Sequence, residues 1–275
     1  MDEPCDLLTA MLLPGLGPRK IQKLAERGPL RIALSRPQEH RDLLTESAAG
    51  SLRSGEAARR AMAELETARR LGVNILGWDD PAYPPLLRRA YDPPPVLYVR
   101  GALSPAEEAK PTIAIVGARA ASPEGRALAR ALGRDLAAAG VIVVSGLARG
   151  IDTAAHEGAL QGGGCTIAVL GSALNRLYPR ENGSLATAIA GSGAVVSEFP
   201  FGTEPCAGNF PRRNRVLAAW SQAVVVVEAA ARSGALITAR YALDEGRDVM
   251  AVPGHPSQRG FEGTNQLLKD GAALV

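Results

Sequence analysis

From Thr112 onward, six short apolar runs recur with a helix-length stretch between successive ones: Thr112–Val116, Val141–Val144, Thr166–Leu170, Ala194–Ser197, Ala223–Val227 and Val249–Val252. They are rich in β-branched residues and apolar at consecutive positions, not at alternate ones. A strand that is apolar on both faces is buried on both, which is the habit of parallel sheets covered by helices. Right-handed β-α-β crossovers then give an α/β fold: a doubly wound, mostly parallel sheet. Its loops gather at the carboxyl ends of the strands, so chemistry is expected there.

The remainder divides differently. Residues 1–71 carry apolar positions at helical spacing, as in Leu7, Leu8, Met11 and Leu12 and again Ile21 and Leu24. Leu13-Pro14-Gly15-Leu16-Gly17-Pro18-Arg19-Lys20 reads as a tight turn into a new helix with Pro18 in its first turn. Residues 54–71 read as a charged amphipathic helix ending near Gly72. Residues 72–110 hold Pro81, Pro84, Pro85, Pro93, Pro94 and Pro95, and read as a semi-rigid join with a short strand at Val96–Val99. Residues 111–275 form the sheet domain, with no further domain expected in this chain.

Charge and composition narrow the function. Residues 1–109 hold 15 Lys+Arg against 15 Asp+Glu, whereas residues 110–275 hold 16 against 13. The excess positive charge therefore lies in the sheet domain. Arginine outnumbers lysine 27 to 4, and arginine is the better residue for phosphate and for stacking. No apolar run approaches the roughly 18 residues of a membrane span. Cys5, Cys165 and Cys206 are few and far apart, which fits reduced thiols in the cytoplasm. Three His and no C-x-x-C pair predict no metal site.

Four strand-end segments carry the candidate chemistry. The first, Gly117-Ala118-Arg119 with Ser122 and Gly125, suits an anion at a helix N-terminus. It departs from G-x-G-x-x-G, and the second strand ends Val144-Ser145-Gly146 without the acid a dinucleotide ribose needs. The turn would serve equally as a tight connection with a solvated arginine. The second segment is Ser145-Gly146-Leu147-Ala148-Arg149-Gly150-Ile151-Asp152. Asp152 and His156 could act as an acid–base pair, but a helix cap plus a helix-face histidine is the reading preferred. The third loop adds Arg176 and Arg180. The fourth, Phe210-Pro211-Arg212-Arg213-Asn214-Arg215, sets three arginines beside an aromatic, with no acid between Glu204 and Glu228. Cations at a helix start oppose the helix dipole unless an anion is present, and the phenylalanine fits a base-stacking platform. Glu228 is catalytic or holds loops through backbone amides, the second being preferred.

Taken in order, these motifs, together with Tyr178-Pro179, Ser197-Glu198-Phe199-Pro200, Ser233-Gly234 with Thr238, Gly246-Arg247 and Val252-Pro253-Gly254, resemble the DprA (Smf) DNA-processing family over about residues 70–275. The Gly15-Leu16-Gly17 turn is similar to the SAM-like or helix-hairpin-helix domain of such proteins. The resemblance implies a Rossmann-like domain that binds and protects single-stranded DNA, forms a homodimer, and helps load the RecA recombinase in natural transformation and homologous recombination. Carried across, the basic pocket corresponds to Arg119, Arg180 and Phe210 with its following arginines. Our own reading of the residues adds Arg149. The DNA-binding set is thus Gly117, Arg119, Ser145, Gly146, Arg149, Arg180, Phe210, Arg212, Arg213 and Arg215. Cys206-Ala207-Gly208 stands where relatives often carry a basic residue, and relatives often continue into a winged helix.

The resemblance implies no catalytic residue and no cofactor; the absence of a Walker lysine agrees. Duplex DNA is expected to bind weakly at most, because residues 1–109 sum to zero charge. The competing reading is a nucleoside-monophosphate phosphoribohydrolase of the lysine-decarboxylase-like type. Its signature wants a glutamate soon after a threonine, whereas Thr238 is followed by Ala239-Arg240-Tyr241.

Overall fold

A computed structural model describes residues 3–103 and 110–275. The chain forms two compact units.

The first unit takes in residues 1–83 and 91–99. It holds α1 (Pro4–Met11), α2 (Pro18–Glu26), α3 (Leu30–Ser35), α4 (Glu46–Arg53) and α5 (Glu56–Leu71). Leu7, Leu8, Ile21, Leu24 and Leu30 are fully buried between these helices. Local chemistry sets the ends. Gly17 is the N-cap of α2 with Pro18 behind it, and Thr45 caps α4 by accepting from the Ala48 amide (3.2 Å). At the end of α5, Gly72 turns left-handed at φ 62°, a conformation only glycine adopts cheaply.

The expected proline-rich join over residues 72–110, of which 104–109 lie outside the described residues, contains two paired strands, and the short strand expected at Val96–Val99 is part of the second. β1 (Asn74–Gly77) pairs antiparallel with β2 (Val96–Gly101), from Asn74 opposite Val99 to Gly77 opposite Val96. Tyr83 is buried and donates to the Pro94 carbonyl (2.7 Å); Tyr98 donates to Glu64 (2.7 Å). Buried anchors fix the segment where prolines alone suggested a spacer. The short helix α6 (Pro85–Arg88) falls in the second unit, which takes in residues 84–90 and 100–275.

The second unit is the doubly wound parallel sheet that the apolar runs predict. Its elements are β3 (Thr112–Val116), α7 (Pro123–Ala138), β4 (Ile142–Ser145), α8 (Ile151–Gln161), β5 (Thr166–Val169), α9 (Gly183–Ser192), β6 (Ala194–Ser197), α10 (Asn209–Trp220), β7 (Ala223–Val226), α11 (Gly234–Asp244), β8 (Asp248–Ala251), α12 (Glu262–Lys269) and β9 (Ala273–Leu274). The strands lie in the order β6-β5-β4-β3-β7-β8-β9, every pair parallel. β3 and β6 have their expected bounds; the other expected strands shift by a residue at one or both ends. The chain winds outward from β3 through β6, then returns to place β7 on the other side of β3. The switch point of the sheet is therefore the crevice at the carboxyl ends of β3 and β7.

Ile115, Val143, Ile151, Val225 and Val227 form the centre of the core with the alanines of α7 and α8. Those two helices touch backbone to backbone: a Cβ at Gly158 would overlap the Arg130 carbonyl. No described helix is long and apolar enough to cross a membrane.

Candidate nucleic-acid interface

The loops at the carboxyl ends of β3, β4, β5 and β6 converge with the start of α10 and of α11 around a cleft of about 550 Å³. Each loop is fixed from inside. After β3, Glu228 accepts from the Ser122 amide (2.9 Å) and hydroxyl (2.7 Å), and its carbonyl takes the Ala118 amide (2.7 Å). Ser122 in turn caps α7 by accepting from Gly125 (3.0 Å). Glu228 is thus the loop-holding residue, the reading preferred from sequence. Gly117 has a packing reason: a Cβ there would sit 2.6 Å from Ile151.

The loop after β4 contains strain that the sequence does not announce. Leu147 is fully buried with φ 56°, a left-handed conformation costing a leucine about 1–3 kcal/mol. Three bonds hold it there. Asp152 accepts from the Gly146 (3.1 Å) and Ala148 (3.3 Å) amides, and Asn182 Nδ2 donates to the Leu147 carbonyl (3.0 Å). Asp152 therefore holds the loop, while Gly150 is the N-cap of α8. Burial pushes its carboxyl above the usual range, against the pull of Arg213 and the two amides. His156 is no partner to it: its ring is fully buried and bonded through Nδ1 to Thr166 Oγ1 (2.7 Å). The two side chains are engaged with separate partners. No local signal in the sequence marks Asn182, because its partner carbonyl lies 35 residues away in the chain.

The residues of the expected strand-contacting set and their basic neighbours sort into three groups. Ser145 and Arg213 turn inward, contrary to their place in the expected strand-contacting set. Ser145 donates to the Ile115 carbonyl (2.6 Å). Arg213, only 4% exposed, donates from Nη1 to the Gly146 (2.5 Å) and Val169 carbonyls and from Nε to Asn214 (3.1 Å). The strand-end carbonyls attract it inward, and a Cβ on Gly146 would overlap its guanidinium. Burial lowers Arg213 to about 10, with Asp152 opposing, so it is charged at neutral pH. The second group is paired. Arg149 holds Glu181, Arg176 holds Glu204 (3.1 Å), and Arg215 turns to Glu198 beneath the surface instead of toward solvent. The Glu181 contact raises Arg149 above the ordinary arginine value.

The third group faces outward. Arg119 is exposed, with its guanidinium 4.6 Å from the Phe210 ring centroid. Tyr178 flanks the same ring at 5.9 Å and 50°. Gly171 makes the room, since a Cβ there would lie 2.8 Å from the Phe210 ring. Arg212 is exposed over Phe199 (5.1 Å), and Arg180 is exposed without an ion-pair partner among the described residues. The arrangement offers a partly exposed ring, Phe210, under one cation and beside Tyr178, with further exposed arginines at positions 180 and 212, which suits a flexible polyanion with bases to stack.

Residues 74–275 match the family described as DNA recombination-mediator protein A. The chain belongs to this family. Among the relatives of this chain, protein Smf of Escherichia coli (strain K12) is 48% identical over 203 residues, 74% of this chain and 54% of that protein. The chain thus matches about half the length of that relative. The X-ray structure of DNA processing protein A from Streptococcus pneumoniae superposes with a TM-score of 0.81 at 32% identity, covering all of this chain and 95% of that one. A Helicobacter pylori DNA processing protein A, described for its single-stranded DNA binding mode, gives 0.66 at 30% identity, over 74% of this chain and 90% of that one.

Proposed function

We propose that this chain binds single-stranded DNA at the carboxyl ends of its parallel strands. The observation that carries this is the outward group: Arg119, Arg180 and Arg212 have no ion-pair partner among the described residues, and the Arg119 guanidinium lies over the Phe210 ring, which Tyr178 flanks. Arginines contact phosphates, and Phe210 stacks a base; Arg149 joins once a phosphate competes Glu181 away. Gly117 and Gly146 shape the loops from within. A site of about 4–16 nucleotides is ordinary for a groove of this kind. The Helicobacter pylori relative, described by its single-stranded DNA binding mode, supports the reading.

From the family we further propose that the chain self-associates, protects the strand and helps load RecA in transformation and recombination. Two copies on one strand gain affinity through effective concentration. Duplex DNA, which hides its base faces, binds weakly. Phosphoribohydrolysis is disfavoured by the cleft: its one acidic lining residue among those described, Asp152, is committed to the Gly146 and Ala148 amides.

Fluorescence anisotropy of a labelled oligo-dT and its duplex, at three salt concentrations, tests the proposal. Wild type should prefer the single strand, with a log–log salt slope of about −0.7 per phosphate neutralised. Arg119→Glu should abolish tight binding. Unchanged affinity in a folded Arg119→Glu chain overturns the assignment.

A further inference from the structure

Two segments that carry candidate phosphate contacts, the loop of Arg149 and the turn of Arg180, are joined at two levels. At the surface Arg149 pairs with Glu181. Beneath that pair lies Asn182, 7% exposed, in one 3-10 turn with Arg180 and Glu181. Its Nδ2 has two hydrogens, and both are spent on the Arg149 loop. One goes to the Leu147 carbonyl (3.0 Å) and the other to Thr153 Oγ1 (2.9 Å). Thr153 relays the second, because its hydroxyl donates to the Ala148 carbonyl (2.7 Å). One side chain thus governs two consecutive carbonyls just before Arg149. The start of the loop has other holders: Arg213 takes the Gly146 carbonyl and Asp152 the Gly146 amide. Leu147 sits at φ 56°, a conformation that a leucine keeps only while its surroundings hold it. Relaxation there would swing Ala148 and Arg149. Those two residues wall a small cavity of about 40 Å³ together with Arg119, Tyr178 and Phe210. The Asn182 bonds therefore reach the stacking ring through the backbone they hold.

We propose that Asn182 is a positioning residue for strand binding, which fixes Arg149 at the wall it shares with the Phe210 ring. The inference rests on the single-strand reading above and adds to that site the buried tie that keeps it in register. A phosphate that takes Arg149 from Glu181 breaks the surface pair. The bonds of Asn182 lie beneath the surface and stay in place. Arg149 then exchanges one partner for another while its backbone stays where it was, so less freedom is lost on binding. Asn182 itself touches no nucleotide; it acts through Leu147, Thr153 and Ala148.

The test titrates labelled oligo-dT with the full chain at three salt concentrations, as wild type, Asn182→Ala, Arg149→Ala and the double variant. Asn182→Ala should weaken binding about fivefold, the effect of setting one long side chain loose. Its salt slope should fall by about 0.7, the share of one phosphate. Added to Arg149→Ala, the same substitution should change neither affinity nor slope. That non-additivity separates positioning from a general loss of stability, which would weaken both backgrounds alike. Asn182→Ala leaves the Leu147 carbonyl without its donor, so urea unfolding is followed in parallel and affinities are compared where every chain is folded. Should Asn182→Ala fail to fold, Thr153→Val removes the relay to Ala148 while keeping the Leu147 bond, and should give the same pattern at smaller size. Wild-type affinity in a folded Asn182→Ala chain, or an equal loss with and without Arg149, overturns the inference while single-strand binding stands. A wild-type chain that binds no strand overturns the single-strand reading and this inference with it.

Discussion

The Arg119 guanidinium rests 4.6 Å from the centroid of the Phe210 ring. One residue comes from the turn after β3, the other from the first turn of α10. The contact holds a long cationic side chain in place before any phosphate arrives, so less rotamer freedom is lost on binding. At an exposed site the contact itself is worth about 0.5–1 kcal/mol.

Removing the ring should therefore damage binding twice over. Phe210→Ala is expected to weaken oligo-dT binding by about 1–3 kcal/mol, through lost stacking and a released Arg119. Phe210→Tyr should retain most of the affinity. Anisotropy titrations of both variants measure this, and a Phe210→Ala chain with wild-type affinity would remove the ring from the site.

Neighbouring arginines should separate by function. Arg213→Met leaves the Gly146 and Val169 carbonyls without their donor and Asp152 without its cation, and should cost about 3–5 kcal/mol in urea unfolding. Arg180→Ala should change stability by less than about 0.5 kcal/mol. It should instead reduce the salt slope of strand binding by about 0.7. The reverse pattern would contradict the buried and exposed placements.

Glu181 restrains Arg149 at the surface. An exposed pair of this kind contributes little to stability, so Glu181→Gln should leave the unfolding midpoint nearly unchanged. It should raise strand affinity and steepen its salt dependence, because Arg149 no longer has to exchange a carboxylate for a phosphate. Unaltered affinity and slope would place Arg149 outside the strand's path.

His156 makes the fold acid-sensitive. Thr166 Oγ1 spends its proton on the Val143 carbonyl (2.8 Å), so His156 Nδ1 carries the hydrogen between them and Nε2 is the bare nitrogen. Nε2 is buried without a partner. Burial, reinforced by Arg213, pushes the imidazole down to about 3, against the Ser145 backbone. Unfolded, the ring takes up a proton near pH 6.5; folded, it does not until about 3. The unfolded state thus binds more protons across that window, and stability falls as pH falls, by about 1.4 kcal/mol per unit from this group. Asp152, raised by burial, acts in the opposite direction over its own range. Unfolding titrations from pH 7 to 4 should show a shallower fall for His156→Gln than for wild type; identical slopes would mean the buried ring is not the sensor.

The local signals that the sequence carries are the ones that recur along it. Consecutive apolar residues at Thr112–Val116 and Ala194–Ser197 set buried parallel strands, because no other arrangement hides both faces. Gly72 ends its helix and Ser122 starts one through chemistry within a few residues. Even the meeting of Arg119 and Phe210 at the carboxyl ends of the strands follows from the winding of the sheet. Partners that are remote in the chain are another matter. β1 and the two-residue β9 exist because a neighbouring strand accepts their hydrogen bonds, and prolines nearby gave the opposite impression. Arg212, Arg213 and Arg215 read as one basic run, yet a helix turns successive residues by about 100°. One therefore reaches solvent, one the carbonyls of Gly146 and Val169, and one Glu198. The order of residues alone places positive charge at the strand ends. Which arginines keep that charge free depends on packing, since burial and a fixed acceptor are properties of the folded chain.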